Sequence, residues 1–111
     1  MAVLPLNTFR TITRVILIAP QEIYVCPTGV TAIILLAQVS NVGTSDAAVT
    51  VSHMRQRTAT ELVKDYEIPP QDAATVLTGR LVLEEGDRLR VQSDTDNALK
   101  ILLSLVESAN T

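Results

Sequence analysis

The sequence predicts an all-β fold: one antiparallel β-sandwich domain, jelly-roll-like, with about eight short strands. Three observations predict it. Short runs rich in Val, Ile, Leu and Thr recur along 111 residues, several alternate apolar with polar positions, and Gly, Pro, Asp or Asn separate them. A helical turn is conceivable only at Ala59 to Lys64, and the length favours one domain.

The central strand is predicted at Thr31–Asn41, the most apolar run in the chain. Turn residues flank it, with Pro27 and Gly29 before it and Gly43 to Asp46 after it. Strict alternation puts Ile33, Leu35, Ala37 and Val39 on one face and Ile34 and Leu36 on the other. Because both faces are apolar in the first half, we expect this strand to be covered on both sides.

The other strands follow from the same signals. Before the central strand we predict Phe9–Ile18, ended by Ala19-Pro20, and Glu22–Cys26. After it we predict Ala47–Met54, Glu61–Ile68, Ala73–Leu77, Leu81–Leu83, Arg88–Gln92 and Leu99–Val106. The Gly43 to Asp46 turn predicts a hairpin between the central strand and the next one. The expected organisation is an N-terminal arm over 1–8, the sandwich over 9–108 and a tail over 109–111.

Composition argues against several classes of protein. The net charge of −3 gives no basic field for nucleic acid or anionic lipid. One cysteine does not suit a small disulfide-stabilised secreted domain. The short apolar N-terminus lacks a basic region and contains Pro5, so it does not read as a signal peptide, and no apolar run approaches the roughly 18 residues of a membrane span. We expect a soluble protein made in a cytoplasm, without nucleic-acid or membrane partners.

No residue pattern indicates catalysis, a cofactor or a metal. His53 is the only histidine and Cys26 the only cysteine, and they lie far apart in sequence. A nucleophile and its base must be within hydrogen-bond reach, and a zinc site needs more such ligands. We interpret Cys26 as a small core residue. The sequence therefore predicts a protein that is not an enzyme.

The charged clusters are interpreted as solvated loops. Asp94 to Asn97 resembles the start of a calcium loop, but Leu99 stands where glycine is needed, so a turn is the better interpretation. The acidic turn Glu84-Glu85-Gly86-Asp87 is predicted to be solvated, with a weak cation site as the alternative. His53, Arg55, Arg57 and Lys64 form a small basic cluster without aromatic partners, which argues against single-stranded nucleic acid.

The strands carry more apolar surface than one sandwich interior uses. Exposed, that surface would exceed what a monomer usually tolerates, so we predict a symmetric homo-oligomer, a trimer or larger. The alternative is two sheets that curl enough to bury both faces. The candidate interface comprises Val3, Leu4, Leu6, Ile12, Ile16, Ile18, Ile34, Leu36, Leu102 and Val106.

Three parts of the chain also carry a family resemblance. They are IYVCPTGVTAI at 23–33 followed by QVSNV at 38–42, IPPQD at 68–72 followed by LTGRLVLEEGD at 77–87, and LSLVE at 103–107. In their order and spacing they resemble small virion structural proteins of tailed bacteriophages, including cyanophages. The chain departs from that pattern at Val25, Cys26 and Thr78.

The resemblance implies a non-enzymatic virion component without cofactors. Such a protein is an accessory or decoration component of head, neck or tail, and its partners are copies of itself and capsid, neck or tail proteins. The competing interpretation is a carbohydrate- or ligand-binding β-sandwich. That class usually relies on aromatic platforms, and this chain has three aromatic residues in all. The scarcity favours the virion role.

Overall fold

A computed structural model describes residues 7–110. This part of the chain forms nine β-strands and no helix. It therefore contains no helix that is long and apolar enough to cross a membrane. The strands are β1 (Asn7–Val15), β2 (Gln21–Val25), β3 (Val30–Asn41), β4 (Ala47–Arg55), β5 (Thr58–Ile68), β6 (Ala73–Thr75), β7 (Leu81–Leu83), β8 (Arg88–Ser93) and β9 (Leu99–Ala109). The predicted all-β class is confirmed.

Two antiparallel sheets face each other. The larger sheet has the order β1-β9-β3, and β3 then pairs with both β6 and β7; the smaller sheet has the order β2-β8-β4-β5. The pairings are nested along the chain: β4 with β5, β3 with β6 and β7, β2 with β8, and β1 with β9. This is the jelly-roll arrangement of a β-sandwich.

The core between the sheets is mainly aliphatic. In β9 the inward positions alternate strictly with outward ones, and they are Leu99, Ile101, Leu103 and Leu105, each at most 2% exposed. They pack in one cluster with residues of β4 and β8, such as Val49, Val51, Leu89 and Val91. Burial of these aliphatic side chains is the main stabilising contribution.

The predicted hairpin between β3 and β4 is wrong. β3 lies between β9 and β6/β7 in the larger sheet, and β4 lies between β8 and β5 in the smaller one. The Gly43–Asp46 segment therefore crosses from one sheet to the other. Asn41 secures this crossing: its Nδ2 donates to the carbonyl oxygens of Ser45 (2.9 Å) and Ile68 (2.8 Å).

The hairpin within one sheet is β4–β5, where Arg55 pairs with Thr58 and Gln56-Arg57 form the loop. Gln56 takes the required positive φ of 54°. The helical turn considered for Ala59 to Lys64 does not form, since β5 runs through it. The helical propensity of this segment is outweighed by its pairing with β4.

A β-bulge interrupts β3. The pairing with β9 is regular up to Ile34 and regular again from Leu36, so Leu35 is the extra residue. As a result Ala32 and Ile34 face the core before the bulge, and Ala37 and Val39 face it afterwards. Strict alternation along the whole strand was the wrong expectation, because the bulge changes the inward face from even to odd positions.

Candidate functional surface

The outer face of the larger sheet carries a row of four apolar side chains. Phe9 in β1 is paired with Val106 in β9, Val106 with Ile33 in β3, and Ile33 with Val82 in β7. Directly paired residues point to the same side of a sheet, with Cβ atoms about 5 Å apart. Phe9 is 75% exposed and Val82 52%, and the two residues between them are half-buried. We call this set the outer row.

Further apolar surface adjoins the outer row. The bulge residue Leu35 is 40% exposed, and Leu36 beside it is half-buried. Farther along the same face, an open depression of about 520 Å³ is lined by Thr13, Arg14, Val15, Gln38, Ser40, Lys100, Ile101 and Leu102. Its lining is mixed in polarity and contains no aromatic side chain.

Three of the predicted interface residues belong to the core instead. Ile12 is 8% exposed, and Ile16 and Ile34 are fully buried, so the expected exposure of these three is wrong. Ile12 is on the inward side of β1, paired with Leu103. The Ile16 N–H donates to Leu99 O at 2.8 Å and thereby continues the β1–β9 pairing, while the bulge directs Ile34 inward.

The remaining candidates are distributed differently. Leu36 and Val106 are half-buried on the outer face of the larger sheet, where Leu102 is also 38% exposed. Ile18 is 54% exposed in the loop after β1. The candidates Val3, Leu4 and Leu6 lie outside the described residues. Contact of these residues with a partner stays a prediction.

Sequence reasoning missed Phe9, Val82, Ile33 and Leu35 as surface residues. Phe9 and Val82 are brought into one row only by strand pairings between segments far apart in the chain. Ile33 and Leu35 were assigned inward by strict alternation. The four consecutive aliphatic residues 33–36 were the available signal, because a bulge places two neighbouring side chains on one face.

A buried carboxylate stands at one end of the sandwich. Asp87 is only 1% exposed, so the prediction of a solvated acidic turn is wrong for this residue, although Glu84 and Glu85 are exposed as expected. Its oxygens accept hydrogen bonds from Arg55 Nε (2.9 Å), from Arg55 Nη2 (2.7 Å) and from the backbone N–H of Glu84 (2.8 Å). Asp87 Oδ2 also lies 3.1 Å from His53 Nε2. The turn between β7 and β8 is thereby joined to β4.

These hydrogen bonds decide the protonation of Asp87. The hydrogen bonds from Arg55 are the main reason that the pKa of Asp87 lies far below its ordinary range. The hydrogen bonds from the Glu84 N–H and His53 lower this pKa further, whereas burial raises it. No group of three His, Cys, Asp or Glu within residues 7–110 could hold a metal ion. We interpret the cluster as a structural link.

Two further polar groups have structural roles. The Tyr24 hydroxyl donates to Glu107 Oε2 at 2.5 Å, and burial together with this bond raises the pKa of Tyr24. Cys26 is 1% exposed, and its thiol lies 3.3 Å from Val30 O and 3.5 Å from Leu83 O. Burial raises the pKa of the Cys26 thiol, which disfavours the nucleophilic thiolate.

Comparison with known protein families and with curated proteins found no match for this chain.

Proposed function

We propose that this chain is a non-enzymatic structural protein of a tailed-bacteriophage virion, an accessory or decoration component of head, neck or tail. In this role it assembles with copies of itself and contacts other virion proteins. The observation that carries the proposal is the outer row, in which Phe9 and Val82 are more than half exposed on a sheet face. A contiguous apolar patch of this kind typically marks an interaction surface.

Two further observations support the proposal. Jelly rolls are a recurrent architecture of viral capsid domains, which is an argument from fold alone. The segments at 23–33 and 38–42, 68–72 and 77–87, and 103–107 resemble small phage virion proteins. Three of the strands that they include are neighbours, since β3 pairs with β7 and with β9. Most of the resembling strand residues thus lie in the larger sheet, while residues 23–25 and Ile68 belong to β2 and β5 of the smaller sheet.

Mass spectrometry of purified phage particles tests the virion role. We expect the protein to be present in a constant ratio to the capsid protein after repeated gradient purification. Loss of this protein during the repeated gradient purification, while the capsid protein is retained, would contradict the proposal.

The depression on the larger sheet favours a second candidate, a carbohydrate- or ligand-binding module. Jelly rolls also form lectin domains, and the depression offers Gln38, Ser40 and Lys100 as hydrogen-bonding groups. Sugar-binding sites usually stack an aromatic ring against the sugar, and none lines this one. Binding to a glycan array that Gln38→Ala abolishes would favour this candidate over the virion role.

A further inference from the structure

We propose that the outer row is covered by residues 3–6 of a second copy of this chain. The inference rests on the proposed homo-oligomer and names the contact that holds it together. It joins an exposed sheet face to an apolar segment, Val3-Leu4-Pro5-Leu6, which directly precedes β1.

The row requires an apolar, uncharged occupant. Its four members come from four adjacent strands, and each is Phe, Val or Ile. Three inter-strand steps of about 4.8 Å give the row a length of roughly 14 Å. An extended segment of four residues spans about 13–14 Å, so residues 3–6 match the row in length as well as in character.

The direction of β1 argues against cover by the same copy. Asn7 pairs with Ser108, one residue before the end of β9 at Ala109, so a segment preceding Asn7 could cover the row of its own copy only by reversing direction there. A reversal there would need a four-residue turn. Such a turn would include Leu4, Pro5 and Leu6. Of the apolar side chains Val3, Leu4 and Leu6, only Val3 could then reach the row.

The position of the segment favours a second copy over another protein. The segment joins β1 two residues before Phe9, so every copy carries the donor segment and the acceptor row at the same end of the sheet. Copies related by a symmetry axis can then exchange their segments reciprocally. Every exchanged segment covers a row, and the assembly closes.

Cross-linking between differently tagged copies tests the contact. One copy carries Leu4→Cys, the other carries Val82→Cys and a size tag, and the mixed proteins are treated with a short bismaleimide. We expect a mixed dimer as the main product, at least tenfold above the control. The control pairs Leu4→Cys with Val25→Cys, because Val25 in β2 of the smaller sheet is 49% exposed, against 52% for Val82. The natural Cys26 is buried and is left in place.

Several results would overturn the inference. Equal cross-linking to positions 82 and 25, or none to position 82, excludes the contact. A third protein carries both Leu4→Cys and Val82→Cys in one chain. If the cross-link forms only within this chain and never between copies, the row is covered by the same copy. A monomer by light scattering at tens of micromolar excludes it as well.

A second measurement does not depend on the cysteines. Val82→Ser should weaken self-association at least tenfold, and the matched Val25→Ser should leave it unchanged; equal effects would contradict the contact. Failure of these tests leaves the virion role standing if the protein is found in purified particles, since another virion protein would then cover the row. Conversely, cross-linking at position 82 with no protein in particles keeps the contact and removes the virion role.

Discussion

Asp87 illustrates how one residue can hold distant strands together. Its carboxylate bonds to Arg55 and His53 of β4, and its carbonyl oxygen accepts from the Cys26 N–H at 2.8 Å, next to β2. A buried charge is tolerated only when hydrogen bonds replace its lost water. Asp87 therefore fixes the end of the sandwich where the chain crosses between sheets.

Asp87→Asn should destabilise the protein by about 1–3 kcal/mol, because a neutral amide loses the charged hydrogen bonds and leaves Arg55 with Glu84, an exposed side chain, as its remaining carboxylate partner. The effect should depend on pH. The folded pKa lies well below the unfolded value of about 3.9, so this stabilisation is present at neutral pH and is lost progressively as pH falls through the unfolded pKa towards the folded one.

Urea unfolding at pH 7 and pH 3 measures both effects. The difference between wild type and Asp87→Asn should shrink at pH 3. Glu85→Gln, in the same turn but exposed, is the control and should change little at either pH. A variant difference that stays constant over this range would rule out the charged form as the stabilising species.

Gly86 is required by its backbone angle rather than by space. Its φ is 81°, and a Cβ placed there would meet nothing within 4 Å. Gly86→Val should cost about 1–3 kcal/mol, since a β-branched residue is strained in this region. Gly79→Val is the matched control, because Gly79 is equally open and lacks a positive φ. Equal melting temperatures for the two variants would disprove the backbone explanation.

At the scale of the strand, the bulge in β3 has the largest effect on which residues face solvent. The extra residue Leu35 lets Ile34 and Ala37 both face the core although they are three positions apart. It also brings Leu35 and Leu36 onto the outer side, where they extend the apolar surface. A single inserted residue thus determines which side chains of β3 face the core and which face solvent.

Deletion of Leu35 should be tolerated. Without it, Ile34, Leu36 and Ala37 alternate regularly and every inward residue keeps its place, so we expect a loss within about 2 kcal/mol. Deletion of Leu102 is the control, because both leucines are similarly exposed, at 40% and 38%. In β9 it would reverse the faces of all residues on one side and prevent folding. Circular dichroism and thermal melting distinguish the two, and an unfolded Leu35 deletion would contradict the assignment of the bulge.

The sequence predicted the strands well and their partners poorly, for a physical reason. Alternation and turn residues are local signals, so the sequence located all nine strands. Two strands start earlier than predicted, β1 at Asn7 and β5 at Thr58. Pairing is decided by contacts across the chain, and the Gly43 to Asp46 turn gave no sign that it crosses between sheets. The outer row was unpredictable for the same reason, since Phe9 and Val82 meet only through β9 and β3.

At the scale of the whole molecule, stability should depend on assembly. An interaction that exists only between folded copies raises the melting temperature as protein concentration rises. Deletion of residues 1–6 should abolish this dependence and leave the melting temperature of dilute protein unchanged. Calorimetry at several concentrations measures both. A truncated protein that melts far lower even when dilute would place the segment in its own domain's core.

The nested pairing of strands also determines when the domain can form during synthesis. β9 lies between β1 and β3, so neither has its principal neighbour until residues 99–109 have left the ribosome. Only the β4–β5 hairpin, closed by two residues, is complete early. β1 therefore has no partner strand until β9 is made, and β3 can pair earlier only with the short strands β6 and β7, at a stage when exposed strand edges are prone to aggregate. The outer row is complete only when β9 inserts between β1 and β3, because Val106 of β9 joins Phe9 to Ile33.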